Sequence, residues 1–480
     1  MKQKFVSNLL FLVLLNIIIK PFYILGIDAG VQNAVGAKEY GLYFALFNLS
    51  FLLNIFSDLG ITNFNNRNIA QHRQLLNKHF SSLISLRSIL IVLYIIVALV
   101  SGFLLGYSER LIFLLGWIVI NQALASFILF LRSNLAGLHL FKQDSIISVL
   151  DRFLLIIFCG YALWGRQNAI EFKIEWFIGL QTISYLITVV VAFLMVKGQT
   201  NKFNISFNKL FSISIIKKSL PYALLTLLMG LYHRMDSIML ERMLPHGSEA
   251  SGIYAQGFRF LDALNNFSFL FAILLLPIFA RMLKEKLDFN PVVLIASKLL
   301  LSGVIIISFT AHYASFGIMD WRYDENIAEA SKTFGVLILS SLFFAIVLIY
   351  GTLLTADGKL KELNYLAVFG VMLNFILNFL LIPRFEAYGS ALATLATQLI
   401  TALGHLILAQ VYFKFKINWP VILKMILLMI ILIFIGHNGQ EINLHWINSA
   451  LLMTFVGLGS AIMLNLINPK DFVELIKSKE

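Results

Sequence analysis

The chain has 480 residues, of which 59% are hydrophobic and 13% charged, with a mean hydropathy of +0.85 and a formal net charge of +12. A water-soluble domain carries about 45–50% apolar and about 25% charged residues, so these proportions exclude a chain that folds mainly in water. The single cysteine, Cys159, excludes disulfide frameworks and cysteine-based zinc or iron–sulfur sites. The basic residues are scattered over many short segments with no recognition motif, which argues against a nucleic-acid partner.

Apolar runs of about 20 residues, the length that crosses a bilayer as a helix, recur from one end to the other. The fold class is therefore an all-α integral membrane protein, with about fourteen spans placed by the same length rule. In chain order these are 5–25, 41–60, 82–106, 111–131, 145–164 and 176–196, then 219–240, 254–280, 292–312, 333–356, 362–382, 388–411, 419–436 and 446–467. The first run, with Lys2 and Lys4 ahead of it, resembles the charged and apolar regions of a signal peptide. It continues through Lys20 and Pro21 to Leu25 without a small-x-small cleavage site, and so reads as a span.

With a cytoplasmic N-terminus, about 22 Lys and Arg fall on the cytoplasmic side, about 8 outside and about 7 within spans, a bias that specifies orientation. Both termini are then cytoplasmic. The basic connector 197–218, with Lys202, Lys209 and Lys217, divides an N-terminal lobe (1–196, spans 1–6) from a C-terminal lobe (219–412, spans 7–12). Residues 413–480 form a last span pair and tail. The external segment Tyr313 to Lys332 carries Asp320, Asp324, Glu325 and Glu329 against Arg322 and Lys332. A supporting role for the basic residues is to hold anionic lipid headgroups of the bilayer.

Two matches hint at an internal repeat. Gly41-Leu42-Tyr43-Phe44-Ala45 returns as Gly252-Ile253-Tyr254-Ala255-Gln256, at an offset of 211, and Leu135 through Lys142 resembles Leu354 through Lys361, at an offset of 219. Both lobes start on the cytoplasmic side, so they are expected to be parallel repeats around a central cavity, with spans 13 and 14 appended.

The chain is similar to the multidrug/oligosaccharidyl-lipid/polysaccharide exporter superfamily, and within it to the Wzx-type O-antigen and polysaccharide flippases. The residues that carry the resemblance start with Gly36-Ala37-Lys38-Glu39-Tyr40-Gly41, Asp58-Leu59-Gly60-Ile61 and Arg67-Asn68-Ile69-Ala70. They continue with Pro221-Tyr222, Arg234-Met235-Asp236-Ser237, Gly252-Ile253-Tyr254-Ala255 and Pro277, and end with Asn374, Asn378, Leu381-Ile382-Pro383 and Tyr388-Gly389-Ser390-Ala391. The resemblance implies two six-helix lobes, two further helices, and export of an undecaprenyl-diphosphate-linked oligosaccharide to the periplasmic leaflet of a bacterial inner membrane. It implies no enzyme activity and no cofactor, leaves coupling to a proton or a sodium gradient open, and points to a polysaccharide polymerase and glycosyltransferases as pathway partners. Oligomeric state stays undetermined. A drug or cation antiporter shares the fold, but an acidic cavity suits its cargo and the first span carries Lys20 with no carboxylate before Asp28. A membrane polymerase or glycosyltransferase needs a catalytic loop or cluster, and no Walker or HExxH motif is present.

Ionisable residues at membrane depth cost about 2.5–3.5 kcal/mol on insertion scales and are functional suspects. Lys20 and Arg234 each lie about 15 residues past the cytoplasmic start of their spans, roughly 22 Å into a core of roughly 30 Å. Arg259 re-enters from outside with Asp262 one turn on. Lys20, Arg234 and Arg259 are thus the substrate-binding candidates of a cationic cavity, set against snorkelling for Lys20 and mutual neutralisation for Arg259 and Asp262. Arg87, Arg152 and Lys298 lie about 7 residues inside the cytoplasmic ends of their spans, where snorkelling is easy and a pyrophosphate would enter. Asp236 pairs with another helix or carries a proton. Asp58 is expected near the outer end of span two, in capping, hinge or substrate contact. Asn16, Asn48, Gln122, Asn374 and Gln398 are read mainly as ties between helices.

Overall fold

The structure, a computed structural model, describes residues 15, 18–62, 65, 69, 74–138, 140–165, 171–200, 208–415, 418–442 and 444–468. The expectations for the start of span one, Asn16, Arg67, Lys202 and the C-terminal tail fall outside these residues. Every regular element described is a helix. A π-helical turn, Tyr23–Asp28, leads into α1 (Ala29–Leu53) and the short α2 (Ile55–Asp58). Then come α3 (Gln74–Leu104), α4 (Glu109–Gly137), α5 (Phe141–Trp164), α6 (Ile174–Lys197) and α7 (Lys209–Met243). The rest of the chain forms α8 (Gly247–Lys284), α9 (Asn290–Tyr313), α10 (Ser315–Arg322), α11 (Ile327–Leu337), α12 (Ser340–Ala356), α13 (Leu360–Phe413), α14 (Trp419–Glu441) and α15 (Trp446–Met463).

Among the described residues, ten helical stretches are long and apolar enough to cross a membrane. Lipid offers no partner for backbone N–H and C=O groups, so each apolar run must satisfy them internally as helix. Two of the ten stretches hold a backbone break. In 18–58 the break is Gly36, with φ 79° and ψ 162°, a conformation open to glycine and strained for a side chain. The link expected at 26–40 is otherwise helical. Its polar residues read as loop, yet Asp28 and Gln32 are each 2% exposed, buried among protein rather than in water.

The second break is in α13, whose 54 residues would reach about 81 Å if straight, far beyond a bilayer core of roughly 30 Å. Glu386, at φ 51° and ψ −129°, divides it three residues after Pro383. The Ser390 hydroxyl donates to Asn378 Oδ1 at 2.8 Å, a contact that 12 residues of straight helix, about 18 Å, would forbid. α13 is therefore a helical hairpin, matching the two spans expected at 362–382 and 388–411. A Cβ on Gly389 would stand 2.4 Å from the Leu381 carbonyl oxygen, so the close return depends on glycine there.

The helices α7 and α8 cover the spans expected at 219–240 and 254–280. Each carries charges mid-helix, Arg234 and Asp236 on one and Arg259 and Asp262 on the other, and neither is among the ten apolar stretches. The connector is helical from Lys209 onward. The acidic segment expected as a loop at 313–332 is mostly α10 and the first turns of α11.

The chain divides into two compact units, Met1–Ile238 and Met239–Glu480. The core of the first is an apolar layer between α3, α4 and α6, where Leu83, Leu86, Phe130, Leu131 and Ala192 meet and Phe80 stacks on Phe130 at 6.4 Å. α7 runs antiparallel along the second half of the first helical stretch. Gly60 meets the Ser219 backbone, Leu52 meets Gly230, and Asn48 meets Ser237. In the second unit α8, α9 and α12 share one core, and α13 packs on α12. The last pair, α14 and α15, lies against α9 through Ile305, Ile306, Leu428, Leu432 and Met453. Their N-termini are capped locally, the Asn418 side chain accepting from Val421 N and His445 Nδ1 from Ile447 N.

Candidate functional site

The antiparallel register of α7 sets the surroundings of Arg234. Its guanidinium lies 4.9 Å from the ring centre of Phe51, with Nη1 at 3.5 Å from Asn48 Oδ1. Asn48 is itself held, its amide donating to the Ser237 hydroxyl at 2.7 Å, and Asn48, Asp236 and Ser237 are each 1% exposed. Arg234 is only half-buried. The aromatic ring steadies the guanidinium by its face and Asn48 steadies it at one edge. The guanidinium can present its planar fork of donors to an oxyanion. Arg234 and Asp236, two residues apart, differ in burial as their different helical directions require.

A second cluster joins the π-helical turn to α5 and α6. Arg152 Nη1 donates to the Tyr185 hydroxyl at 2.8 Å, and its guanidinium stands 4.7 Å from the ring centre of Tyr23 and 5.8 Å from that of Tyr185. Asp151 Oδ2 is 3.8 Å away. The side chain thus points among tyrosines, and does not snorkel to the nearer face. π-helical turns gather at functional sites because they re-aim side chains. Here the turn ends on Asp28, a buried carboxylate three residues past the expected end of span one at residue 25.

The third cluster brings together two suspects from different depths of the sequence reading. Arg87, 0% exposed, forms an ion pair with Asp58 and donates to the Ser57 carbonyl at 2.8 Å, the Ser126 carbonyl at 2.7 Å and the Ser126 hydroxyl at 3.0 Å. Asp58 Oδ1 also accepts from Thr62 N at 3.1 Å. Expectation had put Asp58 near the outer end of its span and Arg87 near the cytoplasmic end. Because they touch, they share one depth, and the outer placement of Asp58 is corrected: span two ends on the side of the membrane where span three begins. Arg87 is committed to the Ser57 carbonyl of α2 and the Ser126 carbonyl of α4.

The profile of the family described as "Polysaccharide biosynthesis protein" matches residues 5–283. The chain belongs to this family. Among curated proteins, it is 24% identical over 398 residues to an uncharacterized membrane protein of Methanocaldococcus jannaschii, covering 76% of this chain and 88% of that one. Among solved structures it is similar to the lipid II flippase MurJ in an inward closed conformation, at a TM-score of 0.73 and 16% identity, covering 96% of this chain and 100% of that one. It is also similar to an inward-facing multidrug resistance MATE family transporter of the MOP superfamily, at a TM-score of 0.59 and 13% identity, over 81% of this chain and 93% of that one. The fold of this polysaccharide biosynthesis family member is thus that of the superfamily named from its motifs.

The remaining suspects of this family member take up separate positions. Lys20 is exposed on the helical stretch ahead of the π-helical turn. In the second unit, Arg259 and Asp262 are half-buried on α8 and Lys298 is half-buried on α9. Asn374 and Asn378 are each 0% exposed, and Asn378 binds Asn374 and Ser390, a tie across the α13 hairpin of the kind expected for polar groups in spans.

Proposed function

We propose that this protein is a flippase that carries a diphosphate-linked oligosaccharide on an undecaprenyl anchor from the cytoplasmic to the periplasmic leaflet of a bacterial inner membrane by alternating access. The product would serve O-antigen, capsule or exopolysaccharide synthesis. The observation that carries this reading is Arg234, a guanidinium within the span expected at 219–240, held on Phe51 and Asn48 and still half-exposed, in a member of the polysaccharide biosynthesis family. A diphosphate cannot cross hydrocarbon unshielded, and a planar fork binds phosphate oxygens in pairs where an ammonium acts as a point charge. Lys20 and Arg259 supply further positive charge to the same cargo.

The test is a substitution series read in cells whose surface polysaccharide depends on this protein. Arg234→Lys retains part of the export, and Arg234→Gln and Arg234→Glu abolish it at unchanged protein level, with diphosphate-linked units accumulating on the cytoplasmic leaflet. Gln and Glu variants at Lys20, Arg234 and Arg259 that all export at the parental rate overturn the cationic reading. One observation favours the antiporter reading, the buried carboxylate of Asp28. That reading is upheld instead if Asp28→Asn abolishes efflux of a cationic dye while export is untouched.

A further inference from the structure

The second half of α13 carries a polar row that neither the cationic residues nor the packing of the hairpin uses up. Ser390, Thr394, Thr397, Thr401 and His405 recur at intervals of four, three, four and four residues. They therefore line one face of the helix over about 22 Å. Each is buried, from 0% exposed at Ser390 to 8% at His405. Most of the row is tied up locally: Ser390 donates to Asn378, Thr394 lies 3.4 Å from the Tyr254 hydroxyl, and the Thr401 hydroxyl donates to the Thr397 carbonyl at 2.8 Å. The exception is the Thr397 hydroxyl, which is buried at 1% exposure and has no hydrogen-bond partner among the described residues. A buried hydroxyl left this way marks a place for water or an ion.

The row ends on a titratable group. The Thr401 carbonyl lies 2.8 Å from His405 Nδ1, and because a carbonyl only accepts, Nδ1 must carry the hydrogen. In the neutral ring Nε2 is then the acceptor. Nε2 faces α12 at Gly351, where a Cβ would stand 3.4 Å from Nε2 and 3.3 Å from Cδ2. Glycine there leaves the acceptor nitrogen unblocked by a side chain. An ionisable residue inside a span is a functional suspect by default. In the sequence it sits alone in an apolar run, Leu403 to Leu408, with no motif around it.

We propose that His405 is a proton-binding site of the second unit, with Nε2 as the acceptor and the row from Ser390 to Thr401, hydrated at Thr397, as its polar path. The groups packed around it do not pre-empt that role. On α12, Tyr350 turns toward Phe415, with ring centres 6.0 Å apart. On α8, Tyr254 meets Thr394, about 11 residues or 16 Å before His405, and Arg259 and Asp262 are half-buried. On α11, Glu329 and Lys332 are exposed. On the first half of α13, Glu362 accepts from the Tyr412 hydroxyl at 2.8 Å, two turns beyond His405. Among the described residues, the polar group hydrogen-bonded to the imidazole is the Thr401 carbonyl. Proton uptake adds a second N–H aimed at Gly351, so the charged form requires water from the row or a wider α12–α13 contact. Protonation is thereby linked to hydration of the row or to helix movement.

The experiment uses the full chain in detergent micelles and needs no cargo, so its outcome is separate from that of the flippase reading. Deuterium exchange at the C2 carbon of each imidazole is followed by mass spectrometry from pH 5 to 9, since that rate rises through the ring's own titration. His405 is expected to trace a full sigmoid, with a plateau about tenfold below that of the exposed His437. Gly351→Ala, which crowds Nε2, and the isosteric Thr397→Val, which removes the orphan hydroxyl, are each expected to move the inflection by about half a pH unit or more. A flat profile at His405 across this range shows a permanently neutral structural histidine and overturns the proposal. So does a sigmoid that neither variant moves.

Discussion

Replacing Arg87 by Met keeps much of the side chain's volume and removes its charge. The guanidinium contacts the Ser57 and Ser126 carbonyls, the Ser126 hydroxyl and Asp58, from a position with 0% exposure. Breaking a buried ion pair from one side costs about 3–5 kcal/mol, because the remaining charge stays buried without its partner. The Asp58 side chain is 21% exposed and keeps its contact with Thr62, which places the loss near the lower end, about 3 kcal/mol. That is roughly two decades in the unfolding equilibrium constant. The natural probe is Cys159, buried at 0% exposure in the same unit: a thiol-reactive dye reports its exposure as SDS is raised in mixed micelles. Arg87→Met should shift the transition by about 3 kcal/mol, and Asp58→Asn combined with Arg87→Met should recover part of the loss by removing the stranded charge. A shift within about 0.5 kcal/mol, the range of an ordinary surface change, would refute the buried-latch reasoning. A double variant no more stable than Arg87→Met alone would refute it as well.

Two further outcomes follow from the fold. Reporter fusions after residues 210 and 325 should fall on opposite sides of the membrane, and both on one side would overturn the charge-based topology. Gly389→Val should destabilise the second unit by about 1–3 kcal/mol, the usual range for overpacking, since its first side-chain carbon would already stand 2.4 Å from the Leu381 carbonyl oxygen. The check is the urea or SDS midpoint of the full chain, and a parental midpoint would mean the hairpin return is looser than described.

Most spans are legible because lipid imposes one rule on every segment it surrounds. The run expected at 292–312 is the helix Asn290–Tyr313, and the run expected at 419–436 begins at Trp419 as foreseen. Where a helix is surrounded by protein that rule lapses. Gly26 to Gly36 contains Asp28, Gln32 and Asn33 and reads as a loop, although it is helix up to the break. Its polar groups are bought out of water by neighbouring helices and not by solvent, which a hydropathy window cannot register.

The site divides along the same line. Counting residues from a span's end gives depth at about 1.5 Å per residue, but it gives no direction around the helix axis, and partnership depends on direction. Depth marked Arg87, Arg152 and Arg234 alike as charges in a costly place. Direction separates them: Arg87 is turned onto the Ser57 carbonyl of α2 and the Ser126 carbonyl of α4, Arg152 lies between Tyr23 and Tyr185, and Arg234 rests by its face on Phe51 while staying half-exposed. A fork whose donors already serve two main-chain carbonyls and a carboxylate cannot serve a phosphate without giving those up. Arg234 is half-exposed, so its edge stays within reach of one. This is why substitutions of Arg87 are expected to register in stability, and substitutions of Arg234 in export at unchanged protein level.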